Sequence, residues 1–437
     1  MASIKVTRRQ FLKWLSASAA VLGLSQTDLL RIEKALAAGP TPNPNFPIAP
    51  LGRVIWIAGA ACSGCPTSLL NYIADPADTD PVLNAIANNA LGLWSDIEAL
   101  YPVSNPGANF GPDTIPLTPD DVGDGHIDIA EVVLEIVTID YSQIVMAASG
   151  DIPNNYLLSL VNDPLYKYVL LTEGTIQTAS QGKYCRIMDL AGTLPAGIYD
   201  TAPGGPYVHR YNDPQLGPRT DVTMAGGTLW LANNPNCLAV VAFGTCAAYG
   251  GVPAAKGHVT GGVGTLEWLN MINGLGKLVA NVPGCPPHPD WFIATVGAAL
   301  LELNNVIPGI LTNNLDTSLD HKGRPKNTYT GVYHNNSNYV FCQDCPRLGT
   351  KPGPVATQAK TSLEECRRKG VQPNGKCLEY NGCMGYVAGP ANVRADCPTR
   401  KWNNHTNWPV NNNYPCNGCT DPGFPDKSSP FYARTKY

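Results

Sequence analysis

The sequence predicts an α/β chain, with a parallel sheet built from residues 50–300 and an irregular segment over 301–437. Three observations predict it. Short, continuous apolar runs recur between residues 53 and 282, as strands buried on both faces require. Helical patterns separate some of these runs, which is the alternation of a parallel sheet. Beyond about residue 304 the periodicity fades, and Asn, Pro, Gly and charged residues dominate.

In chain order, a Pro-rich lead-in over 40–50 precedes the first predicted strand, Arg53-Val54-Ile55-Trp56-Ile57-Ala58. Further strands are expected over 143–148, 168–172, 238–243 and 277–282, with helices over 129–139 and 264–273. Residues 74–124, rich in Asn, Asp, Pro and Gly, read as an insertion. Ligands of such sheets sit beyond the carboxyl ends of the strands. Cysteines fall there: the first strand runs into Cys62 and Cys65, the fourth into Gly244-Thr245-Cys246, and the fifth into Pro283-Gly284-Cys285-Pro286.

The ends of the chain carry different information. Arg8-Arg9, then Phe11-Leu12-Lys13, an apolar run over 15–24 and the small residues Ala35-Leu36-Ala37 read as a twin-arginine export signal over 1–37. That address predicts the periplasm or the outer face of the cytoplasmic membrane. No other run approaches the ~20 apolar residues of a membrane span, so no membrane anchor is expected. Among the 437 residues 44% are hydrophobic and 15% charged, which excludes a disordered tail or coiled coil. The net charge is −4 with no basic stripe, so nucleic acid is not an expected partner.

Two acidic and basic features stand apart. Residues 120–131 read DDVGDGHIDIAE, and Asp120, Asp124, Asp128 and Glu131 occupy ligand positions of a weak Ca²⁺ loop. Val122 stands where one ligand belongs, and the bland reading is an acidic loop that caps the following helix. The stretch from Arg347 to Lys369 is basic and reads as a solvated face, with docking of an electron partner as the alternative. Motifs for zinc proteolysis, serine hydrolysis and phosphate cradling are absent, and no residue of this chain is read as catalytic.

The 14 Cys carry most of the functional signal. Three CxxC pairs occur, at 62/65, 342/345 and 416/419. Disulfides explain such close pairs poorly. Structural zinc suits the irregular C-terminal part but not cysteines at three separate strand ends. Iron–sulfur clusters, held by three or four thiolates from different loops, explain both.

Taken together, CxxC after the first strand, Gly244 to Gly251 (GTCAAYGG), Pro283 to Trp291 (PGCPPHPDW), the stretch Leu134 to Gly150, Thr172-Glu173-Gly174 and a tail closing on PCNGC resemble the small, electron-transferring subunit of nickel–iron hydrogenases. The resemblance covers nearly all of the chain after residue 37, interrupted by 74–124. It implies a flavodoxin-like domain over 50–300, then an irregular iron–sulfur domain over 301–437. It implies two [4Fe–4S] clusters and one [3Fe–4S] cluster in a row. Cys62, Cys65, Cys246 and Cys285 match the proximal four-iron ligands. Cys342, Cys345, Cys377 and Cys383 match the distal set, with Cys342 replacing the family's His; His334 is the alternative ligand. Cys397, Cys416 and Cys419 match the medial three-iron set, and Pro409 falls where a fourth Cys would stand. Cys366 reads as a free thiol or, alternatively, a fourth medial ligand. Cys185 and Cys237 read as buried structural thiols. Two departures are Thr67, where relatives commonly have Glu, and Gly64 with Gly251, where some oxygen-tolerant relatives carry extra Cys. His288 reads as structural. Implied partners are a large subunit holding the Ni–Fe site and an outlet, either a cytochrome or a quinone-reducing membrane protein. The rival readings are a stand-alone exported iron–sulfur carrier and a secreted structural protein stapled by zinc or disulfides.

Overall fold

The computed structural model describes residues 52–70, 73–74, 127–128, 137–272, 275–289, 319–325 and 416–426, with Trp291, Phe292, Thr295, Val296, Ala299, Glu302, Pro409 and Tyr414. The export signal over 1–37, Asp120, Asp124, Glu131, His334, Cys342, Cys345, the stretch 347–369 with Cys366, and Cys377, Cys383 and Cys397 lie outside the described residues.

The elements in chain order are β1 (Gly52–Ala58), α1 (Gly64–Leu70), β2 (Ile73–Ala74), β3 (Ile127–Asp128), β4 (Val137–Ser142), α2 (Asp151–Asn162), β5 (Tyr168–Glu173) and β6 (Ile176–Gln177). They continue with β7 (Arg186–Ala191), α3 (Ile198–Thr201), β8 (Val208–Asp213), β9 (Gly217–Thr223), α4 (Met224–Asn233), β10 (Cys237–Phe243), α5 (Thr245–Tyr249), β11 (Gly262–Val263), α6 (Thr265–Asn270) and β12 (Val279–Val282).

The main sheet has five strands in the order β12-β10-β5-β1-β4, and every pairing in it is parallel. Counted along the sheet's own strands, this is the order 2-1-3-4-5 of a doubly wound fold. The chain reverses its direction of travel between β1 and β5, so the topological switch point lies there. All six residues of β5 are buried, as a central strand covered on both faces requires. Gly59 N donates to Glu173 O (2.8 Å) and Thr175 N to Ala60 O (3.1 Å), so the segments leaving β1 and β5 stay joined beyond the sheet.

The second strand of the sheet corrects the sequence reading. It occupies Val137–Ser142, not 143–148, and takes the end of the helix expected over 129–139. The apolar residues that follow Ser142 lie past the strand end, where Val145 is 43% exposed. Ser142 Oγ instead accepts from the backbone N–H of Ile144 and Val145, which turns the chain. The other expected strands coincide with β1, β5, β10 and β12 to within two residues, and the expected helix over 264–273 is α6.

Three features go beyond what the sequence pattern predicts. Helix α2 starts with Asp151 and Pro153 in its first turn and buries Pro153, Leu157 and Val161, one stripe four residues apart. Helix α4 is buried nearly all round, and Thr223 caps it by accepting from Gly226 N at 3.1 Å. A three-stranded antiparallel sheet, β7-β9-β8, forms between β6 and α4. Arg219 of β9 ties that sheet to α2 by pairing with Asp189 (2.7 Å) and Asp151 (2.6 Å). The residues flanking the 74–124 segment meet as an antiparallel pair, Ile73 opposite Asp128 and Ala74 opposite Ile127.

Aromatic packing closes the core. Trp268 of α6 is fully buried, meets the Tyr207 ring edge-on at 5.0 Å and donates its indole N–H to Ala225 O. Trp268→Ala removes a contact that joins α6, α4 and the antiparallel sheet. It should destabilise the fold by about 3–5 kcal/mol, read as a lower thermal midpoint of the purified protein; an unchanged midpoint would contradict this packing.

Candidate metal centre

Four cysteines converge at the carboxyl end of the main sheet. Cys62 lies in the turn from β1 into α1 and Cys65 is the second residue of α1, Cys246 is the second residue of α5 directly after β10, and Cys285 follows β12. Their thiols feel one another: Cys246, Cys285 and Cys62 all raise the Cys65 pKa, after burial and the Glu173 carboxylate. Burial also pushes the Cys246 and Cys285 thiols up. Cys62, Cys65, Cys185, Cys237, Cys246 and Cys419 are free thiols. No three His, Cys, Asp or Glu side chains among the described residues gather closely enough to hold a single metal ion. A tetrahedral zinc site would draw its thiolates to within about 4 Å of each other, given Zn–S bonds of about 2.3 Å. The four thiols come from separate loops and sense one another's charge, a donor set of the kind a polynuclear cluster uses.

Small residues leave open space beside three of the sulfurs. Gly244, between β10 and α5, has φ +88°, and a Cβ built on it would stand 2.4 Å from Cys65 Sγ. A Cβ on Gly251 would stand 2.8 Å from Cys246 Sγ, and one on Gly64 would stand 3.3 Å from Cys62 Sγ. Gly64 and Gly251, the positions of two expected departures, thus border the sulfurs of Cys62 and Cys246. Thr67 faces away from a ligand role; its hydroxyl donates to Ser63 O at 2.8 Å within the first turn of α1. His288 is 1% exposed and packs against Trp291 in the turn after Cys285. Below the site, Phe243 bridges Trp56 and Phe292 with ring centroids 6.0 and 4.6 Å away.

One charged group at the site has no role in the sequence reading. Glu173, the last residue of β5, is 1% exposed, and neither of its carboxylate oxygens accepts a hydrogen bond. Burial pushes its pKa up to about 7, with the nearby Trp56 indole opposing. The signal that could have found it is a lone acid closing an otherwise apolar central strand.

A second set of cysteines abuts the first. Cys416 is buried and Cys419 partly buried. Of the charged groups around Cys285, the Cys419 thiol affects it most, and the backbone of Cys285 hydrogen-bonds the Cys419 sulfur. The loop carrying them is held from residues 319–325. Arg324, 1% exposed, donates to Thr420 O at 3.2 Å and pairs with Asp320, and Lys322 pairs with Asp421 at 3.2 Å. That segment is itself pinned to the sheet, since Asn281 N donates to Gly323 O (2.7 Å) and Asn281 Nδ2 to Lys322 O (2.8 Å). Cys397, the third cysteine expected here, lies outside the described residues. Cys237 is buried at the start of β10 with its pKa pushed up to about 12, and Cys185 packs against the core, both as structural thiols do.

Comparison with known proteins agrees with this geometry. Residues 122–299 match the family "NADH ubiquinone oxidoreductase, 20 Kd subunit", and residues 357–432 match the C-terminal family of the NiFe/NiFeSe hydrogenase small subunit. The chain is 30% identical to the periplasmic [NiFeSe] hydrogenase small subunit of Desulfomicrobium baculatum, over 98% of this chain and 99% of that one. It is 27% identical to the periplasmic [NiFe] hydrogenase small subunit 1 of Nitratidesulfovibrio vulgaris, over 98% and 93%. The solved structure of the H2-activated Dm. baculatum [NiFeSe]-hydrogenase superposes with a TM-score of 0.54 at 28% identity, covering 87% of this chain and 98% of that one.

The glycine at 244 offers a test of the open space. Gly244→Ala should lower the metal content of the purified protein, because its methyl collides with Cys65 Sγ. Gly276→Ala is the control, since Gly276 also has positive φ (+52°) but nothing within 4 Å. Equal metal loss in both variants would assign the effect to backbone strain and not to the ligand.

Proposed function

The chain belongs to the small-subunit family of NiFe and NiFeSe hydrogenases, and on that premise we propose that it is the electron-conducting half of a two-subunit enzyme acting on dihydrogen. The observation that carries the reading is the convergence of Cys62, Cys65, Cys246 and Cys285 at the switch point of the sheet. The donor set fits a four-iron cluster: four thiols, with glycines at 64, 244 and 251 where a Cβ would crowd three of the sulfurs. Such a cluster, when bound, supplies reversible one-electron redox chemistry.

The chain's own residues do the rest. The loops after β1, β10 and β12 fix the sulfurs, the Trp56, Phe243 and Phe292 rings pack together at the end of β10 that leads to Cys246, and Glu173 places a buried acid beside Cys65. We read Cys397, Cys416 and Cys419 as ligands of a [3Fe–4S] medial centre, and Cys342, Cys345, Cys377 and Cys383 as ligands of an all-cysteine [4Fe–4S] distal centre. Thiolate in place of imidazole at Cys342 lowers the distal potential, other factors equal. The domain division is 50–300, flavodoxin-like and proximal, and 301–437, organised by the medial and distal clusters. Hydrogen chemistry belongs to the large subunit. The twin-arginine signal and the periplasmic relatives support a complex outside the cytoplasmic membrane, with a cytochrome or a quinone-reducing membrane protein as electron acceptor.

Iron and acid-labile sulfide counts with low-temperature EPR on the anaerobically purified complex test this reading. The expected result is about 11 Fe per chain and an oxidised three-iron signal. About 12 Fe without that signal would make Cys366 a medial ligand, and absence of iron would return the cysteines to zinc or disulfides. Cys246→Ala should abolish the proximal signal and Cys342→Ala the distal one; loss of the medial signal in Cys342→Ala would overturn the ligand grouping.

A further inference from the structure

Three segments that carry ligand cysteines meet on one buried hydroxyl. Thr245 immediately precedes Cys246 and is 1% exposed. Its backbone N–H donates to Gly284 O at 2.9 Å, and its Oγ1 accepts from Gly284 N at 2.8 Å, next to Cys285. The same Oγ1 donates its proton to the carbonyl oxygen of Cys419. A hydroxyl has one proton to donate and two lone pairs to accept with, and here the proton goes to the second cysteine set. The Cys246 loop is thus fastened to Cys419 through one hydrogen bond and the Cys285 loop through two.

We propose that Thr245 is the positioning residue that sets the gap between the proximal and medial sites, with its hydroxyl holding Cys419 against the Cys246 and Cys285 loops. The proposal rests on the ligand assignments above. The opposite side of the Cys419 loop is held separately, by Arg324 at Thr420 O and by Lys322 at Asp421. Loss of the hydroxyl therefore leaves the loop docked, with the hydrogen bond from the Cys285 backbone to the Cys419 sulfur as the remaining tie described on the proximal side. Cys419 O and Gly284 N would both lose a buried partner, which favours a shift of the loop over retention of its position.

The test uses the anaerobically purified complex with its large subunit, freeze-quenched at intervals after mixing with H2 and read by EPR. In Thr245→Val, close in shape but without the hydroxyl, reduction of the medial centre should lag behind that of the proximal centre by a longer interval than in wild type. The magnetic splitting between the two centres should weaken as well. Thr245→Ser keeps the hydroxyl and should restore both readouts. Wild-type rate and splitting in Thr245→Val would overturn the proposal, as would a Ser variant as slow as the Val variant. Where Thr245→Val lacks the medial centre altogether, Thr245→Ala against Thr245→Ser decides: impairment in Ala alone supports the hydroxyl, and equal impairment overturns it. A wild-type complex without iron–sulfur signals would instead overturn the functional reading itself.

Discussion

The position of β5 between β1 and β10 is the constraint on which the cysteine site depends. β5 is buried throughout and hydrogen-bonded along both edges, so neither neighbour can slide without breaking a ladder. Because the chain leaves β1 for β4 on one side and returns across it to reach β5, the segments leaving β1 and β5, joined as far as Ala60 and Thr175, turn to opposite sides only beyond that pair and leave a crevice there. The Cys62–Cys65 turn enters that crevice, and β10 and β12 deliver Cys246 and Cys285 from the other side. Four thiols from three distant stretches of sequence thus meet without any of them lying on a long unsupported loop.

The C-terminal cysteine loop has a different kind of support. Residues 416–426 contain no regular element, and their attachment is polar. Arg324 and Lys322 reach them from a short segment that borrows the edge strand β12 through Asn281. A buried guanidinium is expensive unless its donors are used. Here Asp320 and the Thr420 carbonyl take them, so the charge acts as a fastener. The result is a loop located by a few directed contacts, where a hydrophobic element would be located by area.

What the sequence makes legible follows from physical contrast. Arg53 to Ala58, Tyr168 to Thr172 and Leu238 to Phe243 read as strands because both faces are buried, and the chain advertises that with unbroken apolar runs. The run after Gln143 has the same composition but sits at the surface, since composition alone cannot say where a strand stops. The antiparallel sheet is hidden because β8, Val208-His209-Arg210-Tyr211-Asn212-Asp213, is mostly exposed and polar. Helix α4 is hidden because burial on nearly all sides leaves no stripe to detect. Cysteine spacing reveals the four-thiol site directly. It cannot reveal Glu173 or Thr245, whose importance lies in which buried oxygen or sulfur they face, a relation between segments far apart in the chain.

The raised thiol pKa values around the sheet's carboxyl end bear on how the protein matures. Before iron arrives, Cys65, Cys246 and Cys285 hold their protons more tightly than free cysteine does, because burial and mutual repulsion both oppose thiolate. Iron and protons therefore compete for the same sulfurs, and each cluster inserted must expel the protons it displaces. Under the proposed ligand assignment, insertion would release protons, and its driving force would grow with pH.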